Sequence, residues 1–285
     1  MGIGIIGTGN MGGAMWQRLE ECNVEAEVFD LRRETALQLG ANVAESARAL
    51  VANNDIVILS LPTSRHVQAV VGDAIDDFRP DALVIDTTTG VPSVSREAAR
   101  TLASRGVRYI DCGISGGPHG ARAGALKIMV GASDDAFAVA QPVLEHLGAR
   151  IWRCGDIGGG HSMKAVLNLA NQNKMLVELE ALALGVKNGL DPQVVADVLD
   201  LAVWKDWLLG AGGRRPFGFP LALFAKDFDV ANTVATDSGV VLPLGAAGQQ
   251  LARQLRIEAG DDADLIDAVA VIERWSSVDF GHGDA

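Results

Sequence analysis

A lysine and an asparagine near the middle of the chain have the types and spacing of a proton-transfer pair. Lys164 follows the glycine run Gly158 to Gly160, and it is the only residue with a fixed charge between Ile157 and Gln172. Asn168 lies four residues on, so both side chains share one face of a helix. Burial lowers the pKa of a lysine, which can then act near neutral pH. We predict a general acid or base at Lys164, the alternative being a solvated surface lysine.

A glycine-rich segment offers a second set of candidates. Ser115, Gly116 and Gly117 carry consecutive backbone N–H groups without bulky side chains, an arrangement that can hold a carboxylate. Arg122 could add a bidentate contact to the same carboxylate. A glycine-rich turn without a ligand fits the pattern equally well.

A G-x-G-x-x-G sequence near the N-terminus lies between a predicted strand and a predicted helix. Its first glycine allows a tight turn, its second lets the backbone approach a pyrophosphate, and its third lets helix and strand pack closely. The pyrophosphate would then lie on the helix N-terminus. We predict a dinucleotide site formed by Gly7, Thr8, Gly9, Asn10, Met11 and Gly12.

The second predicted strand ends at an acidic residue, Asp30, about 20 residues downstream, where a carboxylate meets the ribose hydroxyls. A carboxylate there repels a 2′-phosphate, so we expect NAD as the cofactor. Arg32 and Arg33 could instead reach a 2′-phosphate, or they could be solvated charges at the start of a helix. NADP therefore stays open.

The elements that must position these residues change character halfway along the chain. The first half alternates short strand-like runs with helical patterns, which is typical of βαβ units and a parallel sheet. After Gly160 only helical patterns remain, beginning with one from His161 to Lys187. We predict an α/β Rossmann-type doubly wound sheet in an NAD(P)-binding domain of residues 1–158. An all-α substrate and dimerisation domain of residues 159–285 would follow, beginning with a long interdomain helix.

Composition excludes several classes of function. Of 285 residues, 48% are hydrophobic and 21% charged, which allows a sizeable core. The net charge of -12 argues against a nucleic-acid partner, whose phosphates need a basic face. We see no signal peptide, no membrane-spanning run and no metal-ligand spacing. Three scattered cysteines, Cys22, Cys112 and Cys154, indicate free thiols, so we expect a cytoplasmic location.

Taken together and in this order, the motifs resemble those of the β-hydroxyacid dehydrogenases, the family of 3-hydroxyisobutyrate dehydrogenase and tartronate semialdehyde reductase. The matching segments are its cofactor loop at Gly7 to Gly12, its Leu-Pro pair at Leu61 and Pro62, its D-x-S-T segment at Asp86 to Thr89, its S-G-G at Ser115 to Gly117, its G-x-G-x-x-x-K-x-x-N-N block at Gly158 to Asn168, and its late Lys-Asp pair at Lys226 and Asp227. Two positions depart from the pattern: Leu167 replaces the first asparagine and Thr88 replaces a common serine.

The resemblance implies reversible hydride transfer between NAD(P) and a small hydroxy acid or semialdehyde. It implies that Lys164 is the catalytic lysine, that Asn168 hydrogen-bonds the substrate, and that the S-G-G segment binds it. It further implies cofactor contacts from Leu61, Pro62, Thr89 and Lys226. A homodimer or homotetramer is expected, and the apolar helical run from Leu167 to Leu184 favours one as well.

Other possibilities stay open at the level of sequence. An imine reductase usually lacks a lysine at this place, and a 6-phosphogluconate dehydrogenase needs a phosphate-binding set. A non-catalytic NAD(P)-binding protein would share the fold without the chemistry. His119 could be an acid, a substrate contact or an exposed loop residue. Two tryptophans and two arginines of the second half could line the substrate pocket or belong to a core: Trp204, Trp207, Arg214 and Arg215.

Overall fold

The computed structural model describes residues 1–208 and 214–281. The chain forms two compact units, Met1–Ala165 and Val166–Ala285. The first is built on a β-sheet, and the described part of the second is helical, which confirms the predicted succession of an α/β half and an all-α half. A domain boundary between residues 158 and 159 stays a prediction.

A seven-stranded sheet forms the centre of the first unit, in the order β2-β1-β3-β4-β5-β6-β7. Its strands are β1 (Ile3–Ile6), β2 (Glu27–Phe29), β3 (Ile56–Leu59), β4 (Leu83–Asp86), β5 (Arg108–Ser115), β6 (Leu126–Gly131) and β7 (Gly148–Arg153). From β2 to β5 every neighbouring pair is parallel. The carboxyl ends of five strands therefore meet at one edge of the sheet.

The expectation of a parallel sheet is wrong for β6, which runs antiparallel to β5. The connection between these strands contains only one short helix, α6 (Gly117–Arg122). A parallel crossover usually needs a dozen or more residues, so this shorter link turns the chain back on itself. Strand β7 then pairs parallel to β6 after a full helix, α7 (Asp134–Leu147).

Helices cover both faces of the sheet because its strands are apolar on both sides. In β3, Ile56 and Ile58 pack in the layer that contains α7, whereas Val57 and Leu59 pack in the opposite layer. The remaining helices of this unit are α1 (Asn10–Glu21), α2 (Arg33–Leu37), α3 (Ala47–Asn53), α4 (Ser64–Ala74) and α5 (Pro92–Ala103). Helix α1 shares the layer of α7, while α3, α4 and α5 form the other.

The helix predicted from His161 to Lys187 is present as α8 (Gly159–Lys187), whose first turns belong to the first unit. The second unit continues with α9 (Pro192–Val198), α10 (Ala202–Trp207), α11 (Leu221–Ser238), α12 (Pro243–Ala259) and α13 (Asp267–Ser276). Asp191 caps helix α9, and its Oδ1 accepts from the backbone N–H of Gln193 at 2.7 Å. Buried aromatic rings, Phe224 and Phe228 among them, fill the core of this unit.

Candidate active site

Strand order places a ligand crevice at the carboxyl ends of β1 and β3. The chain leaves β1 toward β2 on one side and later enters β3 on the other, so the strand order reverses between them. Ligands of open α/β sheets bind at such switch points. Gly7 to Gly12 directly follow β1, and Leu61 and Pro62 follow β3. Two of the predicted cofactor segments therefore meet at this crevice.

The glycines of the first segment each meet a different steric demand. Gly7 has φ +95°, and a Cβ there would lie 2.2 Å from the carbonyl oxygen of Ser60. A Cβ at Gly12 would lie 1.8 Å from the carbonyl oxygen of Gly7. Gly9 caps α1 without a side-chain hydrogen bond, and a Cβ there would meet nothing within 4 Å. The start of α1 thus has room beside it for a ligand, and the residues fit the pyrophosphate of a dinucleotide.

Asp30 is held beside this loop at the end of β2. Its Oδ2 accepts from the backbone N–H of Thr8 at 2.7 Å and from the Thr8 hydroxyl at 3.2 Å. Its Oδ1 accepts from the backbone N–H of Arg32 at 2.9 Å. The side chains of Arg32 and Arg33 are exposed. The Asp30 carboxylate therefore lies directly beside the glycine loop.

The loops after β3 and β4 are tied together by threonine hydroxyls. Thr88 accepts from the backbone N–H of Leu61 at 3.3 Å, and Thr87 donates to the carbonyl oxygen of Leu59 at 2.8 Å. Thr87 and Thr88 are buried, Thr89 is half-buried and Pro62 is exposed. The threonine that replaces the family's serine at position 88 therefore uses its hydroxyl to fix the neighbouring loop.

The S-G-G segment lies where β5 ends and α6 begins. Gly116 has φ +132° and Gly117 has φ +62°, values that favour glycine. Both glycines are exposed, and Ser115 is half-buried. The side chain of Arg122 is also exposed, and its Nε donates to Oε1 of Gln17 on α1 at 2.8 Å. His119, in the same helix, is exposed.

Lys164 packs against β5 through the root of its side chain. A Cβ at Gly113 would lie 2.6 Å from the Cβ of Lys164 and 2.7 Å from the carbonyl oxygen of Gly160. The half-buried Lys164 therefore projects from a helix turn that packs on β5 at Gly113. Gly113 is two residues before Ser115. Two predicted site residues from distant segments are brought to the same strand.

A buried carboxylate anchors that helix turn. Asp111 is fully buried, and its two oxygens accept from the backbone N–H groups of Gly158 at 2.5 Å and His161 at 2.7 Å. Burial raises the pKa of the Asp111 carboxyl, an effect opposed by its interaction with His161 and by the two backbone hydrogen bonds. Sequence reasoning did not assign Asp111 a role, because its partners lie almost 50 residues away in the chain.

Asn168 is oriented by residues of the second unit. Its Nδ2 donates to Oδ2 of Asp227 at 2.7 Å, and Nε2 of Gln172 donates to the same oxygen at 3.3 Å. Lys226 lies 3.5 Å from the other carboxylate oxygen of Asp227. Because a carboxylate only accepts, the amide nitrogen of Asn168 must face Asp227, which leaves the amide oxygen for another partner. Asp227 belongs to the recognised Lys-Asp pair, but its contact with Asn168 had no signal in the sequence.

The residues whose roles the sequence left open divide as follows. Trp204 is fully buried in the core of the second unit, so it is a core residue. The side chain of Trp207 lies outside the described residues. Arg214 forms an ion pair with Glu273, and Arg215 is exposed.

Two kinds of feature are absent from the part of the chain that the structure describes. Residues 1–208 and 214–281 contain no group of three or more histidine, cysteine or acidic side chains arranged to hold a metal ion. Within the same ranges, no helix combines the length and the apolar character needed to cross a membrane.

Known proteins match this arrangement over nearly the whole chain. Residues 2–155 match the family described as the NAD binding domain of 6-phosphogluconate dehydrogenase, and residues 158–272 match the NAD-binding of NADP-dependent 3-hydroxyisobutyrate dehydrogenase. The 3-hydroxyisobutyrate dehydrogenase of Pseudomonas aeruginosa is 35% identical over 87% of this chain and 90% of its own. The 2-(hydroxymethyl)glutarate dehydrogenase of Eubacterium barkeri is 31% identical over 99% of this chain and 98% of its own.

A solved structure extends the match to three dimensions. The 3-hydroxyisobutyrate dehydrogenase of Mycobacterium tuberculosis with L-serine superposes with a TM-score of 0.84 at 29% identity, covering 95% of this chain and 98% of that one. The glycine loop at the switch point and the two matched families agree with one assignment. This chain belongs to the β-hydroxyacid dehydrogenase family, and it is an NAD(P)-dependent oxidoreductase that acts on a hydroxyl group of a small-molecule substrate.

Proposed function

We propose that Lys164 is the general acid and base in reversible hydride transfer between NAD(P) and a small β-hydroxy acid or its semialdehyde. The observation that carries the proposal is the seating of Lys164 against Gly113, on the strand that ends at Ser115. This contact fixes the root of the amine-bearing side chain beside the segment proposed to hold the substrate carboxylate. Positioning of this kind supplies a large part of enzymatic rate enhancement.

The side chains then have separate tasks. The nicotinamide of NAD(P), when bound, supplies the acceptor or donor of hydride. Lys164 takes the proton of the substrate hydroxyl in oxidation and returns it in reduction. The amide oxygen of Asn168, left available by the bond of its nitrogen to Asp227, accepts a hydrogen bond from the substrate.

The substrate carboxylate is proposed to bind the backbone N–H groups of Ser115, Gly116 and Gly117. The two exposed glycines have positive φ, so the backbone there can approach a ligand without side-chain obstruction. Arg122 would join this contact through its terminal Nη groups, because its bond to Gln17 uses Nε. A carboxylate held there sets the distance to the carbinol carbon, which favours acids with the hydroxyl on the β-carbon over acids with it further along the chain.

For the cofactor we propose NAD rather than NADP. The Asp30 carboxylate beside the glycine loop supports this preference, because it would repel a 2′-phosphate. The further contacts proposed from the family resemblance are those of Leu61, Pro62, Thr89 and Lys226. Of these, Leu61 donates its backbone N–H to the hydroxyl of Thr88, the residue before Thr89. This hydrogen bond supports a shared role for the loops after β3 and β4.

Two features support assembly and location proposals. Along α8, Val166, Val177 and Leu184 are exposed apolar side chains, at 57%, 62% and 67%. Exposed apolar stripes mark association surfaces, so we propose a homodimer or homotetramer. The three cysteines are free thiols, which is compatible with the proposed cytoplasmic location.

A substrate panel tests the proposal against its alternatives. Oxidation of 3-hydroxyisobutyrate, L-serine, glycerate, 3-hydroxypropionate, 2-(hydroxymethyl)glutarate and 4-hydroxybutyrate is measured with NAD and NADP in parallel. We expect turnover of β-hydroxy acids, with NAD preferred and 4-hydroxybutyrate slow. Saturable NADH binding without turnover of any acid or semialdehyde would instead indicate a non-catalytic binding protein. Reduction of a cyclic imine, or oxidation of 6-phosphogluconate, in place of these activities would favour the corresponding relative.

A further inference from the structure

Two buried hydrogen-bonded pairs lie between β4 and the start of α8. The hydroxyl of Tyr109 donates to Oδ2 of Asp86 at 2.8 Å. The hydroxyl of Ser95 lies 2.7 Å from Nδ1 of His161. All four side chains are nearly inaccessible, with exposures of 3% or less. The first pair joins β4 to β5, and the second joins α5 to the first turn of α8.

The chemistry of the side chains limits which groups donate. The Asp86 carboxylate only accepts, so Tyr109 donates to it. Burial and the Asp86 carboxylate raise the pKa of Tyr109, and the Ser95 hydroxyl lowers it, which indicates that the two pairs lie close together. Between Ser95 and His161, the tautomer of the imidazole decides which group donates. Nε2 of His161 is left without a hydrogen-bond partner among the described residues.

Asp86 also holds the loop after β4. Its second oxygen accepts from the backbone N–H of Thr88 at 3.0 Å. The imidazole of His161 covers the same loop, because a Cβ at Gly90 would lie 2.8 Å from both Cε1 and Nδ1 of the ring. The loop that contains Thr89, a proposed cofactor contact, is therefore in contact with both Asp86 and His161.

His161 also belongs to the helix turn that carries Lys164. The backbone N–H of His161 is bound by Asp111, and Lys164 follows three residues later on α8. An imidazole with one unsatisfied buried nitrogen is a poor choice for stability alone, since an apolar side chain would avoid that penalty. What the imidazole offers over an apolar side chain is a directional hydrogen bond with Ser95.

We infer that His161 is a positioning residue, whose bond to Ser95 sets the first turn of α8, and with it Lys164, against the loop that contains Thr89. The inference rests on the proposed function of Lys164. Small displacements of a catalytic group have large kinetic effects, of about 10²-fold for 1 Å. Loss of the hydrogen bond between His161 and Ser95 should therefore lower kcat more than it raises the KM for either substrate.

Two substitutions of His161 separate loss of the hydrogen bond to Ser95 from loss of the imidazole ring. Asparagine places a polar atom near the position of Nδ1, whereas glutamine places one near Nε2. We expect His161→Gln and Ser95→Ala each to lower kcat about 10-fold, with KM for NAD within about twofold, because only positioning is lost. His161→Asn should retain most of kcat. The control His146→Gln, on α7, should leave kcat unchanged.

The double variant and hydrogen exchange complete the test. Residues that act through one bond are not additive, so His161→Gln with Ser95→Ala should be no slower than the worse single variant. Amide exchange should accelerate at residues 87–91 and 158–166 in both single variants and not in His161→Asn. Multiplying effects in the double variant, or unchanged exchange at both segments, would overturn the inference.

The exchange measurement also separates this inference from the proposed function. If the wild-type protein turns over no substrate but the two segments loosen together as expected, the coupling stands and the function of Lys164 falls. If turnover is normal and His161→Gln changes neither kcat nor exchange, the function stands and the inference falls. If His161→Gln fails to fold, Ser95→Ala, which removes a single hydroxyl, provides both the kinetic and the amide-exchange measurement.

Discussion

Gly113 and Lys164 are in direct backbone-level contact, with only 2.6 Å between the Lys164 Cβ and the place a Cβ would occupy on Gly113. The second obstacle, the carbonyl oxygen of Gly160 at 2.7 Å, belongs to the same helix turn. Neither neighbour is the flexible end of a side chain. The absence of a side chain at Gly113 is therefore what allows α8 to seat its lysine on β5.

Gly113→Ala should displace this helix turn and lower kcat by about 10-fold or more, since misplacement of a catalytic group is costly. Overpacking should also lower stability by about 1–3 kcal/mol. The measurements are steady-state kinetics and urea unfolding. Gly72→Ala is the matched control, because a Cβ there meets nothing within 4 Å. It should keep full activity and gain up to about 1 kcal/mol from helix propensity.

Lys164→Ala should reduce turnover by about 10²- to 10⁴-fold, the usual contribution of a general acid or base. NADH binding, followed by fluorescence titration, should persist because the glycine loop is untouched. Lys174→Ala provides a control on the same helix, at a lysine whose side chain is 70% exposed. Turnover of Lys164→Ala within about tenfold of wild type would exclude the assigned role.

Asp30→Asn should relax the preference for NAD over NADP. The substitution removes the charge that repels a 2′-phosphate, and it exchanges one of the oxygens that hold Thr8 and Arg32 for a donor. We expect kcat/KM for NAD to fall while that for NADP rises or holds. Asp262→Asn, at an exposed site of the second unit, should change neither value. A wild-type protein that already prefers NADP would contradict the role given to Asp30.

Asp111→Asn should lower the free energy of unfolding by about 1–3 kcal/mol. Each carboxylate oxygen now accepts from a backbone N–H, and the amide N–H₂ of an asparagine would face one of these two donors. Burial raises the folded-state pKa of Asp111 above its ordinary value of 3.8. Between the unfolded and folded pKa values the folded state binds more protons, so the stability contributed by this carboxyl falls as pH rises.

The wild-type protein should therefore exceed Asp111→Asn in free energy of unfolding most strongly below the ordinary pKa. This difference should shrink as the pH rises through the folded-state pKa. Urea unfolding of both proteins across this range measures the difference directly. An advantage that grows with pH would mean that the two backbone hydrogen bonds outweigh burial.

Asp227→Asn should disturb Asn168 without touching Lys164. Asn168 and Gln172 both donate to Oδ2 of Asp227, and a neutral amide oxygen accepts such bonds more weakly than a carboxylate oxygen. The amide N–H₂ would also face Lys226, which now lies beside Oδ1. We expect a stability loss of about 1–3 kcal/mol and a lower kcat/KM for the hydroxy acid. Asp229→Asn, two residues on in α11, is the control, since its partners Gln249 and Arg253 lie on α12. Equal losses in the two variants would argue against a specific role for Asp227.

Local pattern was sufficient to predict the elements whose causes lie close together in the chain. The helical pattern from His161 to Lys187 forms α8 (Gly159–Lys187), and Asp191 and Pro192 begin α9 as a capping residue and a first helical proline should. These features depend on residues within one turn or one strand, so their physical causes are visible in a short stretch of sequence. The direction of β6 was not visible in this way, because it depends on the length of a connection between two strands.

The sequence by itself determined the family, the glycine loop with its strand and helix, and the presence of Lys164 and Asn168 on one helix. Only the tertiary structure decided what holds them: Gly113 and Asp111 under the first turns of α8, Ser95 beside His161, and Asp227 facing Asn168. Each of these contacts joins segments dozens of residues apart. A residue's type shows which bond it can make, but its partner depends on how strands and helices far apart in the chain pack together.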